Sequence, residues 1–173
     1  KLYAPKGVGA LYVRRGVQLE PLIHGAGHES GRRAGTENVP YIVGLGTAAE
    51  VARIALPGAA EKLRHLRDRL HGTLRAGLGE RLVLNGHPER RLPNTLNVSF
   101  LGHIGSELLT KVPGIAASTG SACHEGKIAR SPVLCAMLAP LEVNHGAVRL
   151  TVGRYSTEDE IDRAGELLVS AAR

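Results

Sequence analysis

Leu63, Leu66, Leu70 and Leu74 recur three and four residues apart, with Glu61, Lys62, Arg64, Arg67, Asp68 and Arg69 filling the positions around them. That spacing predicts an amphipathic helix over residues 59–78, its apolar stripe buried and its mixed charges forming a solvated face. The stretch before it, 40–56, is rich in Ala, Ile, Val and Leu and predicts a buried helix, separated from the first by a break at Pro57-Gly58. Elsewhere the period is two. Asn97 and Ser99 alternate with Leu96, Val98 and Phe100, which predicts a strand over 94–100 with one apolar and one polar face. Further strands are predicted at 8–14, 81–84, 115–117 and 147–152, and short helices at 106–111 and 131–138. A last helix opens at Ser156-Thr157, where Thr157 and Glu160 have capping-box spacing and Ile161, Ala164, Leu168 and Ala171 share a face. Residues 24–38 show no hydrophobic period and predict a long loop, with Thr36 and Asn38 as candidate helix caps. Interleaved strands and helices make the class α/β or α+β rather than all-α.

The chain has 173 residues, 43% hydrophobic and 22% charged, which excludes a disordered or fibrous protein. Its net charge is +6, but only five aromatic residues occur and the basic residues are scattered, which argues against nucleic-acid binding. No apolar run approaches the roughly 18 residues of a membrane span, so no membrane partner is expected. The opening Lys-Leu-Tyr-Ala-Pro lacks a signal core, and the expected location is cytoplasmic.

Two cysteines, Cys123 and Cys135, form neither a disulfide framework nor a zinc motif. Cys135 sits in Pro-Val-Leu-Cys-Ala-Met-Leu and reads as a packing residue. Cys123 lies in a loop of Ser, Thr and Gly, residues 118–127, where an accessible thiol acts as a nucleophile if cations such as His124 or Lys127 lower its pKa; the competing reading is a small buried residue. Arg149 interrupts the apolar strand Ala-Val-Arg-Leu-Thr-Val. A guanidinium there needs either a carboxylate ligand in an open cleft or an ion pair at the sheet surface, and spacing does not choose between them. Gly7 and Gly9 lack the third glycine of a dinucleotide loop, and Gly25 and Gly27 argue against a helical metal pair at His24 and His28.

Several of these segments, in order, resemble the pyridoxal-phosphate-dependent cysteine desulfurases: Lys-Leu-Tyr-Ala-Pro-Lys-Gly-Val-Gly-Ala-Leu-Tyr-Val-Arg at the start, His-Gly-Ala-Gly-His-Glu-Ser-Gly-Arg-Arg-Ala-Gly-Thr-Glu-Asn, Ser-Thr-Gly-Ser-Ala-Cys-His, and Ala-Val-Arg-Leu-Thr-Val-Gly-Arg-Tyr-Ser-Thr-Glu-Asp-Glu-Ile-Asp. The resemblance covers essentially the whole chain. It implies the C-terminal part of a fold-type I PLP-dependent transferase, with residues 1–56 ending the large cofactor domain and 57–173 forming a small α/β domain that carries the catalytic-cysteine loop. The cofactor implied is pyridoxal 5'-phosphate, with Lys1 as its Schiff-base lysine. Cys123 matches the persulfide-forming thiol, Arg149 the arginine for the substrate carboxylate, and Thr36 a ligand to the cofactor phosphate of a neighbouring subunit, hence a homodimer. The implied substrate is L-cysteine, converted to L-alanine, with the sulfur passed to an acceptor such as an iron–sulfur scaffold. In this family the cofactor-stacking histidine, the aspartate on the pyridine nitrogen and most phosphate ligands precede the lysine, so the resemblance implies a fragment that is catalytically poor alone. Departures are Ala4 in place of a common Gly, His124-Glu125-Gly126 where small hydroxyl residues are usual, and a segment 135–141 without the usual Arg and Gly, which alters a helix C-cap. Rival readings are a selenocysteine lyase and a non-catalytic sulfur-relay or docking module.

Overall fold

A computed structural model describes residues 2–119 and 130–173. The chain divides into two units, Lys1–Pro57 and Gly58–Arg173. Helix α1 (Val39–Leu78) is followed by β1 (Leu82–Leu84), β2 (Thr95–Phe100), α2 (Gly105–Thr110), α3 (Pro132–Ala136), α4 (Leu141–His145), β3 (Ala147–Thr151) and α5 (Glu158–Ala171).

In the second unit the three strands make one antiparallel sheet in the order β1-β2-β3. The register sets Leu82 opposite Phe100 and Leu84 opposite Val98, then Leu96 opposite Leu150 and Val98 opposite Val148. Because side chains alternate along a strand, these residues share one face. That face joins Leu66, Leu70 and Leu74 of α1 and Ile161 and Leu168 of α5 in the core. The predicted leucine stripe is therefore the stripe that packs. Gly165 and Gly77 make the approach of α1 to α5 possible: a Cβ at Gly165 would lie 2.7 Å from Thr73, and one at Gly77 2.6 Å from Val169. The capping box forms as predicted, with Glu160 N donating to Thr157 Oγ1 at 3.3 Å and Thr157 N donating to Glu160 Oε2 at 2.9 Å.

The outer rim of the same helix pair is ionic. Arg69 makes a two-pronged contact with Asp162, Nε to Oδ1 at 2.6 Å and Nη2 to Oδ2 at 2.7 Å, and reaches Glu158 at 3.1 Å. The Arg69 guanidinium holds the Asp162 carboxyl below the usual carboxylate range. Burial, and then the neighbouring Arg91 guanidinium, push the His71 imidazole down.

Several expectations are corrected. The helix expected to be buried over 40–56 forms as the start of α1, but none of those residues is buried, and Arg67, expected on the solvated face, is buried. The helix does not break at Pro57: α1 is continuous through it. The hydrogen bond that proline removes would have ended on the carbonyl of Arg53, and that residue is exposed, so water can take the bond's place. Residues 8–14 form no strand, since no described segment pairs with them, and Leu11 and Tyr12 stand 78% and 87% exposed. The strand expected at 115–117 shrinks to a single bridge between Ser118 and Arg149. Finally, α1 does contain an 18-residue window, of mean hydropathy 1.3, long and apolar enough by composition to cross a membrane. Only the half before Pro57 is that poor in charge, and within it Glu50 and Arg53 pair at 2.6 Å. The short helix α4 had no period long enough to reveal it.

In the first unit none of the described residues is buried. The long loop contains one 3-10 turn, His28–Gly31, in which Glu29 and Ser30 take left-handed φ values of 52° and 58°. Asn38, one of the two candidate caps, starts α1: Tyr41 N donates to its Oδ1 at 3.4 Å.

The altered C-cap falls after α3. Leu138 N donates to Cys135 O at 2.9 Å and Ala139 N to Leu134 O at 3.0 Å, the two bonds of a Schellman motif, which places Leu138 at the left-handed position with φ 59°. A leucine there is strained, and its side chain is 89% exposed, so it recovers little by packing. Leu138→Gly is expected to stabilise the fold by about 1 kcal/mol, read as a higher urea midpoint at unchanged slope. The lowered Asp162 pKa gives a second expectation. Its stabilising contribution is present above the unfolded-state value of about 4 and is lost as pH falls through the folded one. The difference in denaturation midpoint between wild type and Asp162→Asn is therefore expected at neutral pH and should close as the pH falls below the ordinary carboxylate range; a gap independent of pH would refute the ion-pair origin.

Candidate functional site

The face of the sheet turned away from the core carries Asn97 and Ser99 of β2 and Ala147, Arg149 and Thr151 of β3. Their register is fixed: Asn97 lies opposite Arg149 and Ser99 opposite Ala147. Arg149 can point outward because its neighbours Val148 and Leu150 point inward, at 0% and 5% exposure. On its other side Arg149 is held by backbone bonds to Ser118, whose N donates to Arg149 O at 3.3 Å while Arg149 N donates to Ser118 O at 2.6 Å. The segment leading toward Cys123 is thus fastened to the strand that carries the arginine.

The Arg149 side chain is half-buried, and among the described residues no carboxylate or carbonyl pairs with its guanidinium. Of the two readings open from the sequence, the surface ion pair has no partner here. Three other guanidiniums of this unit are satisfied, unlike that of Arg149: Arg67 is buried against Asp68 and Leu92 O, Arg75 bonds Leu82 O and Glu80, and Arg91 bonds Asn85 O and His87 O.

Next to Arg149 lies a polar chain that the sequence did not single out. Ser99, fully buried, donates from Oγ to Val143 O at 2.6 Å. Asn85, 9% exposed, donates from Nδ2 to Ser99 Oγ and to Asn97 Oδ1, both at 2.8 Å. The alternation at 94–100 marked Asn97 and Ser99 as one face, but only the strand register shows that this face meets Arg149.

Lys1 and Cys123, with His124 and Lys127, lie outside the described residues. Thr36 belongs to the first unit, exposed, after Gly35 at φ +108°. Among the described residues its hydroxyl has no partner, so this donor fits a phosphate oxygen. Cys135 is half-buried, its Sγ 3.8 Å from Asn144 Oδ1, in keeping with a packing residue. Among the described residues no three His, Cys, Asp or Glu side chains gather as a metal site requires.

This arrangement has counterparts. The aminotransferase class-V family model matches residues 1–164. A cysteine desulfurase of Gluconacetobacter diazotrophicus is 51% identical over 170 residues, covering 97% of this chain and 42% of that protein. Cysteine desulfurase IscS 1 of Archaeoglobus fulgidus is 48% identical over 170 residues, with 96% and 44% covered. A solved NifS-like protein is similar in structure with a TM-score of 0.85 at 38% identity, covering 98% of this chain and 43% of its own. The chain thus spans less than half the length of these relatives, and its α/β architecture is shared with the NifS-like protein. With the family match running through Thr36, the polar sheet face and Arg149, the chain belongs to the aminotransferase class-V family.

Proposed function

We propose that this chain forms part of a pyridoxal-phosphate-dependent cysteine desulfurase, which takes sulfur from L-cysteine, releases L-alanine and holds the sulfur as a persulfide on Cys123. The observation that carries this reading is the half-buried Arg149 guanidinium with no partner among the described residues, on a strand bonded to the segment that leads to Cys123. A planar fork of N–H donors kept free in a partly desolvated place suits a substrate carboxylate, which it can bind through two parallel hydrogen bonds. Cys123 lies five residues after Ser118, so covalent geometry limits its Cα to about 18 Å from the point where its segment meets β3.

Lys1 would hold the cofactor through its ε-amine and Thr36 would donate to its phosphate, in a homodimer from the neighbouring subunit. When bound, pyridoxal phosphate supplies an electron sink for the bonds around the substrate Cα. The residues of this chain supply the rest. Arg149 fixes the substrate by its carboxylate and so sets the direction in which the thiol group points. The Cys123 thiolate attacks that sulfur, the S–S bond forms as the Cβ–S bond breaks, and the electron pair left on Cβ takes a proton to complete alanine. The balance is one thiol and one cysteine giving one persulfide and one alanine, with no external oxidant. The persulfide then passes to an acceptor protein such as an iron–sulfur scaffold. A thiol that must stay reduced between cycles supports a cytoplasmic location. Protein, rather than lipid, covers the apolar start of α1 in this reading.

The full-length protein supplied with pyridoxal phosphate is expected to show a visible absorbance band that disappears in Lys1→Ala. In Cys123→Ser the band should persist while alanine and persulfide formation fall to background; persulfide formed without the cofactor would favour a sulfur-relay module instead. A stability measurement separates substrate arginine from structural arginine. Arg149→Met keeps the packing of the stem and removes a charge with nothing to pair with, so the denaturation midpoint is expected to hold or rise, by up to about 1 kcal/mol, while turnover of L-cysteine collapses. A loss of about 3 kcal/mol, as on breaking a buried ion pair, would count against it.

A further inference from the structure

We propose that Asn97 is a second substrate-binding residue, donating its side-chain amide to the same carboxylate that Arg149 takes, so that β2 and β3 together form a two-donor cradle. The inference rests on the reading of Arg149 as the carboxylate arginine. Its own support is the hydrogen-bond chain beside that residue.

The polarity of this chain decides which end of the Asn97 amide is left over. Val143 O can only accept, so Ser99 Oγ commits its one hydrogen to it. The Ser99 oxygen then accepts from Asn85, which requires the NH2 group of Asn85, not its carbonyl, at that junction. The other hydrogen of that NH2 goes to Asn97, and only Oδ1 of Asn97 accepts it. The Asn97 Nδ2 group is therefore the free end, and no acceptor meets it among the described residues. Asn85 is in turn clamped through its backbone, its N donating to Asn97 O at 2.9 Å and its O accepting from Arg91 Nη2 at 2.7 Å. Asn97 lies directly opposite Arg149 on the same face of the sheet, where paired Cβ atoms stand about 5 Å apart. Two unpaired donors, one charged and one neutral, thus flank one position. A carboxylate offers about four lone-pair sites on two oxygens: both oxygens take the Arg149 fork, and one of them also accepts from the amide.

Asn85 and Ser99 are positioning residues in this scheme. They touch no substrate, and they keep Asn97 from turning its carbonyl toward an anion.

The test is steady-state kinetics of the full-length, cofactor-loaded protein on L-cysteine and on L-cysteine methyl ester, which lacks the carboxylate, for wild type, Asn97→Leu, Asn97→Asp and Arg149→Lys. Asn97→Leu is expected to raise KM for L-cysteine about tenfold, the loss of one charge-assisted hydrogen bond, with kcat within about twofold and no change in KM for the ester. Asn97→Asp keeps the acceptor for Asn85 and the shape of the side chain, so it serves if the leucine variant does not fold, and it should raise KM for L-cysteine at least as much, again sparing the ester. An independent readout is the Asn97 side-chain NH2 resonance in 15N-asparagine-labelled full-length protein without cofactor, which should shift saturably on titration with propionate. An unchanged KM in both Asn97 variants while Arg149→Lys raises it would remove Asn97 from the cradle. Equal effects on cysteine and its ester would mark Asn97 as merely structural and overturn the proposal. If Arg149→Lys leaves KM for L-cysteine unchanged, the carboxylate reading of Arg149 falls, and this inference falls with it.

Discussion

The pairing of β2 with β3 governs both what this chain buries and what it offers to a ligand. With Val98 opposite Val148 and Leu96 opposite Leu150, the large apolar side chains of the two strands join α1 and α5 in the core, and the intervening positions, Asn97, Ser99, Ala147 and Arg149, are turned to the other side. A slip of one residue in either strand would carry Arg149 or Ser99 into the core and expel Val148 or Val98, at a cost of several buried methyl groups and an unpaired charge. The core thus enforces the register, and the register places an arginine beside an asparagine. The hydrophobic effect, which has no directional preference of its own, here fixes the geometry of polar groups it never touches.

How far this was legible from the sequence depends on the range of the interaction. The leucine stripe at 63, 66, 70 and 74, the alternation at 94–100 and the Thr157–Glu160 box are local periodicities or contacts over three residues, and all appear where the pattern puts them. The failures are matters of partnership. Residues 8–14 have the composition of a strand, but a strand exists only where another backbone accepts its bonds, and no described segment does. Pro57-Gly58 has the composition of a break, yet one lost hydrogen bond in a solvated stretch does not interrupt a 40-residue helix. At the candidate site, Arg149 stood out because a charge in an apolar run is locally anomalous. Asn97 did not, since a polar residue on an alternating strand is ordinary until the register reveals what it faces.

The two units differ in kind. The second has a shared core of α1, the sheet and α5. The first has none among its described residues: Leu11, Tyr12, Leu22, Ile42, Val43 and Ile54 are all exposed. Apolar surface of this extent is not left in water by a stable domain, because the entropy of ordering the chain would go unrepaid. The chain spans less than half the length of the relatives it matches.

The polar chain on the sheet's outer face also bears on why Arg149 stands unpaired. Buried networks that are only partly satisfied are costly, and natural folds tend to complete them or replace them with apolar groups. Here the donated bonds run unbroken from Asn97 Oδ1 through Asn85 and Ser99 to Val143 O, and beside their end lie two donors with no partner among the described residues, the Asn97 amide and the Arg149 guanidinium. The Asn97 amide and the Arg149 guanidinium stand side by side as donors, which suits an anion, and the links behind them keep the neutral donor from rotating to fill its own need. On the carboxylate reading we propose, these donors add to fold stability only when an anion binds, and the fold holds them in place beforehand.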